Sequence, residues 1–449
     1  MKKGLFNIFQ ITLLISALSS LALNSASAQE VMSLKHCLET GLMQNYDIRI
    51  VRNEQKISDN NYTIGNAGYL PTIDLSAGYS GTSNNVEQRL ATTREINKNN
   101  SIDNQTLNAG INMNWTVFDG FQIQAKHERL KELQQMGELN TRLAIESFIS
   151  RLTVEYYNYV RQKIRLSNLK YAVSLSRERV RIVEARYSIG SMSRLDLQQA
   201  RVDFNADSSS LIMQQEVLYS SRIALNQLMA LDNVSNALTV ADSVITPDIQ
   251  LQEADLKEKT MLYNASLLVS DKSRRLSELD YKAIKGREFP YLRLNAGYGY
   301  TQNMYETGTF DRQKTMGLNY GLTLGFNIFD GFNRKREQKN ARLQIQNREL
   351  QYEQLELDLK ANMANIWMAY ENNLELLSLE KENLETAREN YDIAIERYKL
   401  GELSGIELRE AQNSLLGAED RLLLASYNTK LCEISLLQIS GQITGYLEK

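Results

Sequence analysis

Proline is almost missing: Pro71, Pro247 and Pro290 are the only three in 449 residues. Because proline is excluded from helix interiors and central strands, long unbroken elements are permitted and the three positions read as boundaries. Pro71 and Pro290 each end a helical stretch and open a strand, and Pro247 marks a linker. Cysteine is as scarce. Cys37 and Cys432 lie in helical patterns at opposite ends of the chain, which rules out a disulfide framework. Two buried thiols are the expectation, with a bond joining the termini as the alternative. His36 and His127 are the only histidines, and neither has a cysteine or carboxylate pattern of metal-ligand spacing around it. With no nucleophile–base constellation and no phosphate loop, no enzyme, cofactor or metal site is expected. A surplus of one charge sign is also lacking: the formal charge is −3, and without a basic patch nucleic acid is excluded as a partner.

Long apolar runs are missing except at the start. Lys2 and Lys3 precede an apolar stretch through Leu23 and then Ala26-Ser27-Ala28, the pattern of a secretory signal peptide over 1–28 with the mature chain beginning at Gln29. Removing the two lysines moves the charge from −3 to −5. No later run reaches about eighteen apolar residues, so no transmembrane helix is expected. An exported chain of this kind is either soluble outside the inner membrane or a β-barrel.

What is present is a duplication. WTVFDGF (115–121) returns as FNIFDGF (326–332), and RYSIGSMSRLDLQQA (186–200) returns as RYKLGELSGIELREA (397–411), both at an offset of 211. Upstream, Pro71 matches Pro290 and Asn45 matches Asn264 at an offset of 219. The eight-residue difference falls inside the β-rich segments, where a longer loop in the first copy accommodates it.

Those segments alternate. Leu107, Ala109, Ile111, Met113, Trp115 and Val117 are apolar, against Thr106, Asn108, Gly110, Asn112, Asn114 and Thr116. Residues 316–328 repeat the pattern, and 72–80 and 292–300 alternate likewise. Period two means a strand with one apolar and one wet face. Each run of about 9–13 residues is near what a tilted strand needs to cross a bilayer. The wet faces are small and uncharged except for Asp74 and Arg293, which suits a lumen. Four strands cannot close a barrel, and hydrocarbon tolerates no open sheet edge, so several chains must pool their strands.

Between the strands lie helices. Phe121–Tyr187 spans 67 residues without proline and with one glycine, Gly137; Phe332–Tyr398 spans 67 with neither. Ile145, Ile149, Leu152, Tyr156, Val160 and Ile164 recur at helical period. A helix of that size spans roughly 100 Å and requires coiled-coil neighbours. Each one turns at a glycine, Gly190 or Gly401, suited to the left-handed position that closes a helix, and returns as another. Asp119-Gly120 and Asp330-Gly331 stand where strand becomes helix, the aspartate placed to cap the first free N–H groups and the glycine to turn the backbone. Tyr156 and Trp367, 211 apart, are expected in core packing.

Taken together, the signal peptide, tandem repeat, proline-started hairpins, FDGF junctions and RYxxG turns resemble the TolC-like outer membrane efflux proteins (outer membrane factors). The resemblance covers essentially the whole mature chain. It implies a mixed α and β membrane protein: a homotrimer with a 12-stranded transmembrane β-barrel in the outer membrane, four strands per chain, continuing into a long periplasmic α-helical barrel. The organisation expected is a first repeat over 29–231 (collar helices, β-hairpin 70–118, long helix 121–187, return helix 193–231) and a linker over 232–251. A second repeat follows over 252–449 (collar helices, β-hairpin 290–328, long helix 332–398, return helix 404–440). The implied partners are outer-membrane lipid, a periplasmic adaptor and an inner-membrane pump of resistance-nodulation-division or ABC type.

By the same resemblance, Glu407 and Glu410 fall where such channels carry an acidic ring at the periplasmic aperture. Asp196 and Tyr398 match contacts that hold the aperture closed, and the turns at Gly190 and Gly401 form tips that meet the adaptor. Leu403 departs from the pattern, standing where the family's best-known member has an arginine. The implied function is a passive exit duct for drugs and small molecules, with type I protein secretion as the alternative. A periplasmic adaptor would instead predict lipoyl-like sequence between hairpin halves and an inner-membrane anchor. A coiled-coil fibre would not explain the alternating strands.

Overall fold

The runs that lack proline are the longest helices, of 67 and 68 residues. The computed structural model describes residues 31–307 and 309–448, so the expected leader lies outside the described residues. In chain order the elements are β1 (Val31–Met32), α1 (Leu34–Gln44), α2 (Tyr46–Asn61), α3 (Ile64–Ala67), β2 (Thr72–Arg89), β3 (Ile96–Phe118), α4 (Gln122–Ser188) and α5 (Arg194–Leu228). Then come β4 (Thr239–Val240), α6 (Glu253–Tyr263), α7 (Ala265–Gly286), β5 (Tyr291–Met304), β6 (Arg312–Gly325), α8 (Asn333–Leu400), α9 (Gly405–Ile439) and a closing 3-10 turn, Ile443–Leu447. The chain divides into two compact units. One takes residues up to 52, 141–265 and 356 onward; the other takes 53–140 and 266–355.

The second unit holds an antiparallel sheet in the order β2-β3-β5-β6. One row runs Asp74, Asn112, Gly297, Asn319 across it. A Cβ on Gly297 would lie 2.5 Å from the Asn319 Oδ1 and 2.7 Å from the Asn112 Oδ1, so the missing side chain makes room for two amides. On the opposite face Ile73, Leu75, Tyr79, Tyr298, Leu318, Tyr320, Leu322 and Leu324 are exposed. Neither outer edge, β2 or β6, is paired among the described residues. The strands also differ in reach from the alternation. β2 continues to Arg89 and β3 begins at Ile96, paired with each other past the point where β5 joins at Gln105. There both faces are polar, so period two carries no signal. β6 stops at Gly325 opposite Tyr291, three residues before Ile328, because the next residue on β5 is Pro290, which has no N–H to give.

The first unit is helical, and asparagines organise it. Asn45 Nδ2 donates to the Leu228 carbonyl at 3.0 Å, and its Oδ1 accepts from the Asp47 and Ile48 amides. Asn264 Nδ2 donates to the Ile439 carbonyl at 2.9 Å. The core gathers Cys37, Phe148, Ile149, Leu152, Tyr156, Val160, Leu225, Met229, Ile434 and Ile443. Residues 232–251, expected as a linker, enter this core: Leu238, Val240 and Ile245 are buried, and β4 pairs in parallel with β1. Tyr156 is fully buried, whereas Trp367 packs half-buried on a smaller cluster with Met363 and Tyr370. Cys37 and Cys432 are both free thiols, and burial pushes the Cys37 thiol up to about 12.

Candidate functional site

The sequence-marked residues fall in two places, the helical tips in the first unit and the strand–helix junctions in the second. At the tips, α4 and α8 end in the same hydrogen-bonded turn. Gly190 N–H donates to the Tyr187 carbonyl at 3.0 Å and Ser191 N–H to Arg186 at 2.9 Å; Gly401 and Glu402 repeat this onto Tyr398 and Arg397 at 3.1 and 2.9 Å. Both glycines are left-handed, at φ 78° and 85°, the geometry that satisfies a helix's last carbonyls. The return helices then start from reciprocal caps. Ser193 Oγ accepts from the Asp196 amide and the Asp196 carboxylate accepts from Ser193 N–H; Ser404 and Glu407 do the same. Such a box satisfies two free donors at once.

The caps change what the candidate aperture residues can do. Glu407 is exposed, and hydrogen bonds from the Ser404 amide and hydroxyl hold its carboxyl below the ordinary 4.5. Asp196 is likewise lowered by the Ser193 hydroxyl and amide. Glu410 is exposed one turn on and lines one groove of about 300 Å3 with Glu407, Arg397 and Leu403. Asp196 and Tyr398 share the wall of a second cavity of about 410 Å3. Tyr398 is fully buried with its hydroxyl unpartnered, and burial raises its pKa. Its ring lies under the Arg186 guanidinium at 5.3 Å, and Arg186 Nη2 donates to the carbonyls of Tyr398 and Lys399 at 3.1 and 2.8 Å.

Sequence reasoning passed over the strongest polar contact here. Arg409 donates through both terminal nitrogens to the Asp207 carboxylate, at 2.7 and 2.8 Å, and this bond raises the Arg409 pKa. Asp207 also accepts from Ser176 Oγ, and Gln412 Nε2 reaches Ser176 at 3.1 Å. Arg179, 4% exposed, pairs with Asp203. Three helices, α4, α5 and α9, are thereby joined through side chains that are largely out of water, where a bidentate charged pair is strongest.

The two junctions share one backbone pattern. Asp119 Oδ1 accepts from the Ile123 amide at 3.1 Å, and Asp330 Oδ2 accepts from the Arg334 amide at 2.9 Å. Gly120 and Gly331 are left-handed at φ 73° and 69°. The residues after them are too: Phe121 at 70° and Phe332 at 63°. For a non-glycine that conformation costs about 1–2 kcal/mol. The edge-to-face contacts Phe118–Phe121 and Phe329–Phe332, at 5.2 and 5.3 Å, return about 0.5–1.5 kcal/mol. The repeated aromatics on either side of Asp-Gly were the signal for this, had their spacing been read as a ring pair. Gly120 also crosses Gly286 backbone to backbone, leaving a Cβ at Gly286 only 2.5 Å from the Gly120 carbonyl oxygen. No helix among the described residues is long and apolar enough to cross a membrane, and no group of three or more His, Cys, Asp or Glu among them is placed to hold a metal ion.

Comparison with known proteins gives this geometry a context. The chain is 19% identical over 391 residues to the outer membrane efflux protein BepC of Brucella suis, covering 87% of this chain and 81% of that one. It is 22% identical over 417 residues to the cation efflux system protein CusC of Escherichia coli, covering 91% and 86%. Among solved structures, the CmeC outer membrane channel of Campylobacter jejuni superposes with a TM-score of 0.78 at 17% identity, over 91% of this chain and 85% of that one. The model of the family described as "Outer membrane efflux protein" matches residues 38–231 and 258–442, and this outer-membrane chain belongs to that family.

Proposed function

We propose that three copies of this chain close one 12-stranded barrel and serve as the exit duct of a tripartite export system, passing drugs and other small molecules from a periplasmic pump assembly to the exterior. The observation that carries this reading is the sheet β2-β3-β5-β6, which has an exposed apolar face and, among the described residues, two unpaired edges. In hydrocarbon each unpaired backbone group costs several kcal/mol, so the edges must meet other copies. The tandem duplication says how. Asn112 pairs with Gly297 within the chain; moving those residues by the offsets 211 and 219 places Thr323 of one copy opposite Gly78 of the next. The paired hydrogen bonds of Asn45 and Asn264 support the same duplication.

The tips support docking to a periplasmic adaptor. Ile189, Leu195, Leu400 and Ile406 are 79%, 76%, 74% and 78% exposed, and they fall at equivalent places around Gly190 and Gly401. Two apolar pairs flanking capped turns form a surface suited to the end of a partner's helical hairpin, next to an inner-membrane pump of resistance-nodulation-division or ABC type. Glu407 and Glu410, six carboxylates in a trimer, would set a negative potential at the inner aperture. Heat-modifiable migration of the mature chain as a trimer in outer-membrane fractions tests the reading. A detergent-free monomer in the soluble periplasmic fraction overturns it.

A further inference from the structure

We propose that Arg312 and Lys314 form a binding site for the phosphate groups of an outer-leaflet lipid headgroup. The inference rests on the barrel reading above and adds a ligand to it. Along β6 the residues 316, 318, 320, 322 and 324 carry Met, Leu, Tyr, Leu and Leu on one exposed face. Arg312 and Lys314 have the same parity, so they continue that lipid-facing stripe where its apolar character stops. Lys314 shares its cross-strand row with Gln302, Leu107 and Tyr79, while Met316 one step below pairs with Tyr300. Tyr79, in the Lys314 row, is exposed, as an aromatic side chain is at a bilayer interface. The 312 end of β6 lies opposite the helix junction at Asp330, hence at the exterior end of the duct.

Two cations on the rim of a lipid-facing stripe would be unremarkable if acids held them. Neither makes an ion pair or side-chain hydrogen bond among the described residues. The acids beside them in the chain are Glu306, whose carboxylate accepts from the Asp103 amide, and Asp311, whose carboxylate makes no ion pair with either cation among the described residues. The neighbouring copy's register would set Glu87 opposite Lys314 and Arg89 opposite Arg312. Glu87 also pairs with Lys98 at 3.1 Å, so the seam would set four cations, Arg312, Lys314, Arg89 and Lys98, against that one carboxylate. Residues two apart on one strand face stand about 7 Å apart, which lets a guanidinium fork and an ammonium reach separate phosphate oxygens. Charges at that depth cost little, and an anionic headgroup attracts each one.

Native mass spectrometry of the full mature chain, extracted as its assembly, tests this with three probes: lipid A carrying two phosphates, its monophosphoryl form, and inorganic phosphate. The wild type is expected to retain the bisphosphorylated lipid best. Arg312→Gln with Lys314→Gln should weaken that retention about tenfold, whereas Arg312→Lys with Lys314→Arg should keep it. Arg293→Gln, on the opposite face of the sheet, should leave it unchanged. Equal retention by the double glutamine variant overturns the proposal. So does displacement of the lipid by inorganic phosphate at low millimolar concentration, which would mark a free-anion site. If the sample shows no heat-modifiable assembly at all, the barrel reading has failed; if it assembles and retention does not respond, only the lipid site has.

Discussion

Arg409 and Asp207 are 202 residues apart and meet through two parallel hydrogen bonds, at 2.7 and 2.8 Å, with both side chains mostly out of water. Removing one partner leaves the other charged and poorly solvated. Hydrogen bonds to charged groups contribute about 1.5–3 kcal/mol each way they are lost. Arg409→Gln or Asp207→Asn should therefore lower amide-exchange protection around 172–179 and 407–412 by about tenfold to a hundredfold. The double variant should add little to either single one. Additive losses in the double would mean the pair is not coupled.

That contact also marks where reading the sequence reaches its end. The strands of 106–118, the proline boundaries and the glycine turns were legible because each is a local rule: alternation, a missing N–H, a left-handed φ. The link between Asp207 and Arg409 is not local; it depends on which helices lie side by side, which no periodicity of α5 or α9 alone specifies. The same is true of Leu238 and Ile245, which read as linker because they precede Pro247 between the two repeats, yet are buried. Residues 81–104 were hidden for another reason. With Asn and Ser on both faces a strand loses its alternation, and only the backbone pairing of β2 with β3 reveals it. The positive φ of Phe121 and Phe332 is equally invisible in the sequence pattern, and it accompanies ring pairs with Phe118 and Phe329.

The tip caps should respond to acid. Asp196 and Glu407 are held below their ordinary values of 3.8 and 4.5 by hydrogen bonds from Ser193 and Ser404. A depressed folded-state pKa stabilises above the unfolded value and loses that contribution as pH falls through the folded one. Protection factors, corrected for the intrinsic pH dependence of exchange, should fall at the first turns of α5 and α9 as the solution is taken below about pH 4, and Ser404→Ala should remove that response in α9. A response that survives Ser404→Ala would assign it to another group.

Gly286 has no positive φ, yet its α-carbon faces the Gly120 carbonyl so closely that a Cβ would lie 2.5 Å away, against backbone that cannot swing aside. Gly286→Ala should therefore sharply reduce the yield of heat-modifiable assembly by overpacking alone, at about 1–3 kcal/mol or more. Gly120→Ala adds left-handed strain and should be worse. Normal yield from Gly286→Ala would show that the crossing can relax.

The inter-copy register can be trapped. If Thr323 faces Gly78 of the next copy, then Gly321 faces Ser80, and opposed residues in antiparallel strands bring Cα atoms within disulfide range. A chain carrying Ser80→Cys and Gly321→Cys should oxidise to a species of three chains, and either single variant should not. Cys37 and Cys432 are free but buried or half-buried, so they should not contribute. Crosslinking only at a pair shifted by two or more residues would revise the offset and with it the repeat alignment.

The proposed aperture offers the most direct functional measurement. Glu407 and Glu410 lie on the first turns of α9 and line one groove, but Glu407 also closes a capping box. Alanine would therefore confound charge with helix stability. Glutamine at that position keeps a cap acceptor, so Glu407→Gln with Glu410→Gln would remove six charges from the proposed trimer while leaving the turn in place. In planar bilayers the substitution should shift reversal potentials toward weaker cation preference and reduce block by trivalent cations. Because exposed charges are screened by salt over about 10 Å at 0.1 M, the difference from wild type should shrink as ionic strength rises. Selectivity unchanged at low salt would place these carboxylates on a solvated helix face, away from the conducting path.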